Sequence, residues 1–304
     1  MTLDINDTCK SLSVVVPIHA SQKDLSNLRS WILSDESDMI EIVLVVDKSL
    51  EIQNSVLTDF LEELNGKELR IISGSYGSPG KARNAGIPFA TREWLAFWDS
   101  DDFPCVDNFL EMINFQKDKS TNICIGEFSW CDIKNGSSIS NTKLNSWGEN
   151  LPEGVALNPG IWRMAFRRKL VSTNPFQDYR MGEDQLFIAE MISRNPVLFS
   201  YNKNVYNYFV GNPQQLTNNS SAINDITKAL NELFELYRLS GPEGKRFAGV
   251  AYWKMLFTYS RRSPVYKSAI LILMTLIKIS TLNGTGRKSI LKSLLFLLKN
   301  RNKA

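Results

Sequence analysis

Three carboxylates fall within four positions, at Asp99, Asp101 and Asp102, directly behind the apolar run Trp94-Leu95-Ala96-Phe97-Trp98. Asp99 and Asp101 stand one residue apart in a turn, where their charges crowd together unless something positive lies between them. A divalent cation carrying a nucleotide diphosphate fills that place. Mg2+ and Mn2+ favour hard oxygen ligands, and Mg2+ is usually held by one or two carboxylates together with substrate phosphates. Alone the tripeptide is weak, since about one Asp-x-Asp is expected by chance in a chain of this length, and Asp and Ser are ordinary turn formers. Other charged groups stand at predicted helix starts. Lys81 and Arg83 lie in the first turns of a helix opening with Ser78 as cap and Pro79 at its first position. Free N–H groups and the positive dipole end make such a terminus attractive to phosphate, although a solvated basic face has the same composition. Glu183-Asp184 opens another helix, where an acidic pair complements the dipole.

The elements that must position these groups alternate. Leu12–Pro17 and the Trp94 run read as short buried strands, Glu41–Val46 as an apolar strand and Leu69–Ile72 as a third strand, and Ser21–Ser34, Leu50–Leu64 and the Pro79 helix lie between them. Gly66 stands as a stop signal after the second helix. This order implies right-handed crossovers and a largely parallel sheet, whose ligands bind at the carboxyl ends of the strands. Val106–Lys119 reads as a helix and Asn122–Trp130 as a strand. Residues 135–158, rich in Asn, Ser and Gly, read as a long loop. Ile161–Val171 mixes aromatic and basic residues, and Val197–Tyr201 and Val205–Val210 read as two short strands. Beyond Ser220 the pattern is helical throughout.

Composition narrows the classes. At 43% hydrophobic and 22% charged, the 304 residues are those of a folded protein. No basic flank followed by an apolar stretch marks a secretory signal at the amino terminus. Cys9, Cys105, Cys124 and Cys131 have neither zinc nor disulfide spacing and read as reduced thiols of a cytosolic protein. One histidine, His19, leaves little room for a Ser-His-Asp hydrolase. A dehydrogenase nucleotide domain needs Gly-x-Gly-x-x-Gly after its first strand, where this chain has Pro17-Ile18-His19-Ala20. Gly284-Thr285-Gly286-Arg287-Lys288-Ser289 lacks the first glycine of a phosphate-binding loop and follows a helical run, so it is set aside.

Five pieces in order carry a resemblance: Ser13-Val14-Val15-Val16-Pro17-Ile18-His19, Glu41–Asp47, Gly80-Lys81-Ala82-Arg83-Asn84-Ala85-Gly86-Ile87, Asp99-Ser100-Asp101-Asp102 and Glu183-Asp184, with Gln215-Leu216-Thr217 a weaker sixth. In these the chain resembles family 2 glycosyltransferases of the GT-A fold, particularly bacterial enzymes that build surface polysaccharides. The resemblance implies a Rossmann-like, mostly parallel central sheet flanked by helices, forming a catalytic domain over residues 11–217, with a helical, basic extension over 218–304. It implies an inverting, metal-dependent transfer of one sugar from a nucleotide sugar, with UDP the expected nucleotide, to a hydroxyl of a surface glycan or lipid-linked acceptor. Asp47 would accept the ring N–H of uracil; relatives often carry an acidic pair where this chain has Asp47-Lys48. Pro17 and His19 would lie under the nucleotide, Lys81 and Arg83 at the diphosphate, and Asp99 and Ser100 at the ribose side. Asp101, with Asp99, would hold Mn2+ or Mg2+. Asp184 would be the general base, and Trp162, Arg163 and Glu183 would face the acceptor, with Arg167 in the same segment; one buried aromatic on a basic strand is the alternative for Trp162 and the arginines. Competing readings are a sugar nucleotidyltransferase, whose glycine-rich signature should follow the first strand, and a non-catalytic sugar-binding subunit of the same fold.

Charge is unevenly spread. Lys245–Ala304 contains 13 Lys and Arg and no Asp or Glu, which leaves the preceding residues at −10 against an overall +3. The apolar run Ala269–Ile277 is too short to span a bilayer, which takes about 20 residues. Ser289–Asn300 mixes apolar residues with Lys292 and Lys299, the pattern of helices that lie on anionic membranes. The expectation is peripheral attachment at the cytoplasmic face of the cell membrane; packing on the catalytic domain or on a partner chain is the alternative. Nucleic acid is not an expected partner, because no supporting module accompanies the basic tail.

Overall fold

The computed structural model describes residues 11–19, 22, 24–48, 55–65, 67, 69–116, 119–132, 137–141, 147–172, 174–211 and 223–300. Cys9, Gly66, Gln215-Leu216-Thr217 and the boundary expected at 217/218 lie outside them. Two compact units are interleaved along the chain. One comprises the residues up to 146 with 161–178 and 197–212, and the other comprises 147–160, 179–196 and the residues from 213 onward.

The first unit is built on strands β1 (Leu12–His19), β2 (Glu41–Asp47), β3 (Leu69–Gly74) and β4 (Trp94–Phe97), parallel in the order β3-β2-β1-β4. Val14, Val15 and Val16 and all of β4 are buried, as unbroken apolar runs require when a sheet is covered on both faces. Helices α1 (Ser26–Ile32), α2 (Ser55–Glu63) and α3 (Pro79–Gly86) make the crossovers. Behind the carboxylate turn come β5 (Phe103–Pro104), α4 (Val106–Phe115), β6 (Thr121–Asp132), β7 (Ser138–Asn141), β8 (Met164–Arg167) and β9 (Val197–Val210). Here the sheet becomes mixed. β8 lies antiparallel between β4 and β6, β9 runs parallel to β6, and β5 closes the far edge antiparallel to β9. Trp98 packs edge-on against Trp31 and Phe109, which locks α1 and α4 on the residue that leads into the turn.

Two local expectations need correction. The segment 135–158 is not one loop: its described residues form β7 and a helix, α5 (Leu151–Leu157), which buries Val155, Ala156 and Leu157. Glycine at 154 permits this, because a Cβ there would stand 2.4 Å from the Trp147 ring that crosses it. The strands expected at 197–201 and 205–210 are one continuous strand. Exposed Asn202 and Lys203 break its apolar pattern where its register against β6 shifts, on either side of Glu127. Cys105, Cys124 and Cys131 are free thiols, the last two buried.

The second unit is helical: α5, α6 (Glu183–Ser193), α7 (Ile223–Leu239), α8 (Pro242–Arg262), α9 (Val265–Thr281) and α10 (Gly284–Asn300). α8 packs against the other five, and its buried residues, Phe247, Val250, Tyr252, Trp253 and Leu256 among them, lie all round it. Trp253 Nε1 donates to the Ile290 carbonyl at 2.9 Å, and Arg246 Nε pairs with Glu153 at 2.6 Å, which joins α10 and α5 to α8. No described helix is long and apolar enough to cross a membrane.

The seat of α3 on the sheet is tight. A Cβ at Gly86 would lie 2.5 Å from Val15 Cγ1 and 3.0 Å from Val45 Cγ2, both side chains of core strands. Gly86→Ala is therefore expected to cost about 1–3 kcal/mol by overpacking, outweighing the better helix propensity of alanine. Urea denaturation measures it, and a variant more stable than the parent would refute this packing account.

Candidate active site

The parallel register brings the ends of β1 and β2 level, with His19 opposite Asp47 and Asp47 opposite Gly74 of β3. Trp98 N–H still bonds the Val15 carbonyl at 3.2 Å, so the chain enters the carboxylate turn at the same edge. His19 is exposed and Pro17 half-buried there. Asp47 is 5% exposed, and its two oxygens accept the backbone N–H groups of Tyr76 and Gly77, each at 2.9 Å. Gly77 has φ +75°, a conformation open to glycine and costly for most side chains. Asp47 thus clamps the loop that feeds α3.

The start of α3 follows the sequence closely. Ser78 caps it by accepting Lys81 N–H at 3.4 Å, and Pro79 follows in the first turn. Ser78 Oγ also donates to Asp178 at 3.0 Å, and Lys81 Nζ pairs with the other Asp178 oxygen at 2.6 Å. Asn84 clasps Phe176 from both sides, donating to its carbonyl at 2.8 Å and accepting its N–H at 3.0 Å. Arg83 is not on a solvated face. It is 4% exposed, lies over the Phe176 ring and pairs with Asp99 at 2.8 Å.

The turn is held at every residue. Asp99 N–H donates to the Tyr206 hydroxyl at 3.0 Å, Ser100 Oγ donates to Gln22 at 2.6 Å, and the Asp101 carbonyl accepts from Asn27 at 2.8 Å. Asp101 itself is half-buried. Asp102 is 1% exposed and accepts Phe209 N–H at 2.7 Å. Burial, and then the charges of Asp101 and Asp99, push its carboxyl well above the usual range. Burial likewise raises the Tyr206 phenol, with Asp102 and Asp99 adding to it. Negative charge is thus concentrated at this turn.

Trp162 and Arg163 lie in the same unit but in its packing. Trp162, 7% exposed, stacks on Tyr206 and Tyr208 at 4.5 and 5.1 Å with Phe128 against its edge. Arg163 is 1% exposed over the Phe128 ring, and its guanidinium is pulled down by burial and raised by Glu127. Arg167 is also buried, pairing with Glu93 and lying over the Trp94 ring. Trp130 and Tyr208, an edge-to-face pair at 5.1 Å, are the half-buried end of this aromatic file.

Glu183 and Asp184 belong to the helical unit, in the first turn of α6. Glu183 is buried; Asp184 is half-buried and accepts Gln185 N–H at 2.8 Å. Gly182 precedes them with φ +92°, and a Cβ there would meet Met255 at 3.0 Å and Ala229 at 3.2 Å. Sequence reasoning missed Gln22, Asp178 and Tyr206, which position the cap and the turn. Tyr206 stands 107 residues from Asp99, and no local pattern connects them.

Among solved structures, Staphylococcus aureus TarS 1–349 in complex with UDP-GlcNAc superposes with a TM-score of 0.61 over 93% of this chain and 79% of that one, at 16% identity. The mannosyltransferase PcManGT of Pyrobaculum calidifontis, in complex with GDP-Man and Mn2+, gives 0.53 over 95% and 87% at 14% identity. The fold is therefore of the GT-A class. In sequence, the poly(ribitol-phosphate) beta-glucosyltransferase of Bacillus spizizenii is 26% identical over 190 residues, 62% of this chain and 26% of that one. The glycosyltransferase GlyG of Streptococcus pneumoniae is 30% identical over 128 residues, 41% and 42% of the two chains. The chain spans about half or less of the length of most curated relatives it matches. The model of the family described as glycosyl transferase family 2 matches residues 13–180. That match runs from β1 through the clamped loop, α3 and the carboxylate turn to Asp178 and takes in more than half of the 304 residues: the protein belongs to glycosyl transferase family 2.

Proposed function

We propose that this protein is an inverting glycosyltransferase that moves one sugar from a UDP-linked donor to a hydroxyl of a cell-surface glycan or lipid-linked saccharide. Supporting this most directly is the grouping of the Asp47-clamped loop, the Arg83–Asp99 pair and the Asp99–Asp102 turn at the carboxyl ends of β1, β2 and β4. The surface-glycan acceptor is favoured by relatives named for poly(ribitol-phosphate), and the UDP donor by the TarS complex. In this reading residues 11–217 are the catalytic domain and 218–304 a basic helical extension that holds the enzyme at the inner face of the cell membrane.

Metal dependence belongs to the proposal. Among the described residues no group of three or more His, Cys, Asp or Glu side chains is arranged to hold a metal. The turn instead presents Asp101 and Asp99 with a third carboxyl, Asp102, buried behind them and raised by their charge. Such a donor set fits an ion that arrives with substrate phosphates and keeps several waters rather than one caged by protein. Asp101, with Asp99, would hold Mn2+ or Mg2+. When bound, the ion supplies Lewis-acid stabilisation to the departing nucleoside diphosphate.

The chain's own residues would do the rest. Pro17, His19 and Asp47 would flank the base, with Asp47 accepting the ring N–H of uracil in addition to the N–H groups of the loop it clamps, since each carboxylate oxygen can accept more than one bond. Arg83 aims Asp99, and Ser100 fixes the turn toward the ribose. Lys81 is available to the diphosphate because its pair with Asp178 is about half exposed, and such pairs contribute only about 0–1 kcal/mol. Asp184 is the general base and takes the proton of the acceptor hydroxyl, with Glu183 beside it on the acceptor side. Trp162 and Arg163 would act on the acceptor from behind, by setting Tyr208 and, through Phe128, Trp130.

Two measurements test this reading. UDP with Mn2+ is expected to raise the melting temperature more than either alone, and Asp101→Ala to abolish the added effect of the ion. A variant that keeps the full Mn2+ effect would remove Asp101 as a ligand. Asp184→Asn is expected to lower turnover by about a hundredfold to ten-thousandfold while UDP binding is retained. Near-normal turnover would remove Asp184 as base. UDP binding without transfer to any acceptor in a glycan panel would instead identify a non-catalytic subunit.

A further inference from the structure

Helix α9 is amphipathic the wrong way round for a helix facing water. The side it turns to the helical unit carries Ser268, Thr275 and Ile279, its three buried residues. Thr275 Oγ1 bonds the buried Tyr252 hydroxyl at 2.8 Å, and Lys278 Nζ reaches Asn231 at 2.5 Å and lies over the Phe234 ring. The opposite side presents Val265, Ile270, Leu273, Met274, Leu276 and Ile277, each between 49% and 86% exposed. α10 adds Leu291, Leu295 and Leu298 at 47% to 65%. A helix in water places its apolar stripe inward, and contiguous exposed apolar surface of this extent marks an interaction site.

We propose that the outer face of α9, continued by α10, is a bilayer-inserting surface: α9 lies in the plane of an anionic membrane with its aliphatic side chains below the headgroups. The inference deepens the proposed membrane location and is independent of the sugar chemistry. What selects lipid over protein is charge. Exposed cations accompany the apolar face at Arg261, Arg262, Lys267, Arg287, Lys288 and Lys292, and residues 245–304 contain no Asp or Glu. A second copy of the chain would bring the same cations against each other across a two-fold interface, with no acid from this region to pair them. An anionic bilayer offers phosphates to the rim and hydrocarbon to the centre. Apart from Tyr266, 64% exposed near the start of α9, the face is aliphatic, and an amphipathic ring at the edge of an apolar helix face suits the headgroup layer. The apolar run is too short to cross the bilayer and suits shallow burial.

The test is flotation of the full chain with vesicles of phosphatidylglycerol and phosphatidylethanolamine, against vesicles of phosphatidylcholine alone. Binding is expected to the first and to be much weaker to the second, and to fall about fivefold for each cation neutralised in Lys288→Gln and Lys292→Gln. Leu273→Glu with Ile277→Glu, both on the exposed face, is expected to abolish flotation while circular dichroism, melting temperature and UDP binding stay unchanged. Flotation by this double variant equal to the parent, or no flotation of the parent with anionic vesicles, would overturn the proposal. So would a parent that is a stable dimer in lipid-free solution and becomes monomeric in the double variant. Because UDP binding is read in the same samples, loss of the membrane surface is distinguishable from failure of the donor site.

Discussion

A guanidinium withdrawn from water has to be neutralised, and around Arg83 that requirement organises the donor end of the sheet. Its partner is Asp99 at 2.8 Å, the first residue of the carboxylate turn. Removing one member of a buried pair costs about 3–5 kcal/mol, because the other charge is stranded. α3 must therefore sit where Arg83 reaches the end of β4. Eight residues are too few for a helix to persist alone, so the position is fixed from outside: by the Ser78 cap, by the Asn84 clasp on Phe176, and by the glycine that lets the helix touch Val15 and Val45. The Lys81–Asp178 pair on the same helix is about half exposed and worth far less. Any rearrangement on binding an anion would begin there and leave Arg83–Asp99 intact.

The far side of the turn is secured by different chemistry. Asp102 sits almost without solvent behind Asp99 and Asp101, and the ionised form of its carboxyl is disfavoured by burial and by both neighbours. Its bond to Phe209 N–H and the bond of Tyr206 to Asp99 N–H tie β9 to the turn from opposite ends. The aromatic stack of Trp162 on Tyr206 and Tyr208 then fixes the β9 side chains in turn. Residues more than a hundred positions apart thus set the attitude of a four-residue motif.

Legibility in the sequence follows how local each constraint is. Strands β1, β2 and β4 were readable because burial on both faces leaves an apolar run, β3 at the edge because its short apolar stretch follows a stop signal although none of its residues is buried, and the start of α3 because cap and proline are adjacent. Asp47 was recognisable as a strand-end carboxylate, but its clamp on Tyr76 and Gly77 depends on a loop folding back from 29 residues away. Trp162 was placed toward the acceptor only by the resemblance to the family, and its sequence context fitted a buried aromatic equally well. The structure buries it between Tyr206, Tyr208 and Phe128, and the neighbouring Arg163 and Arg167 are buried as well, over Phe128 and Trp94. α5 was hidden by the polar residues before it and by a glycine whose value lies in the tryptophan ring that covers it. The helices of the tail were plain, whereas the direction in which α9 faces was not. An apolar run reads as core until its polar residues are seen to occupy the inside.

Charge bookkeeping around the turn bears on how an anionic donor could be held there. The two cations of α3 nearest the site are already engaged, Arg83 with Asp99 and Lys81 with Asp178. Releasing Arg83 would strand a buried charge; releasing Lys81 would cost little but supply only one positive charge. A diphosphate brought beside Asp99, Asp101 and Asp102 would add negative charge to a place where it already raises one carboxyl and one phenol. In the proposed reading, part of the neutralisation would come with the ligand. A divalent cation carried on the phosphates would do this with little disturbance, since it would relieve the repulsion among the carboxylates while compensating the diphosphate.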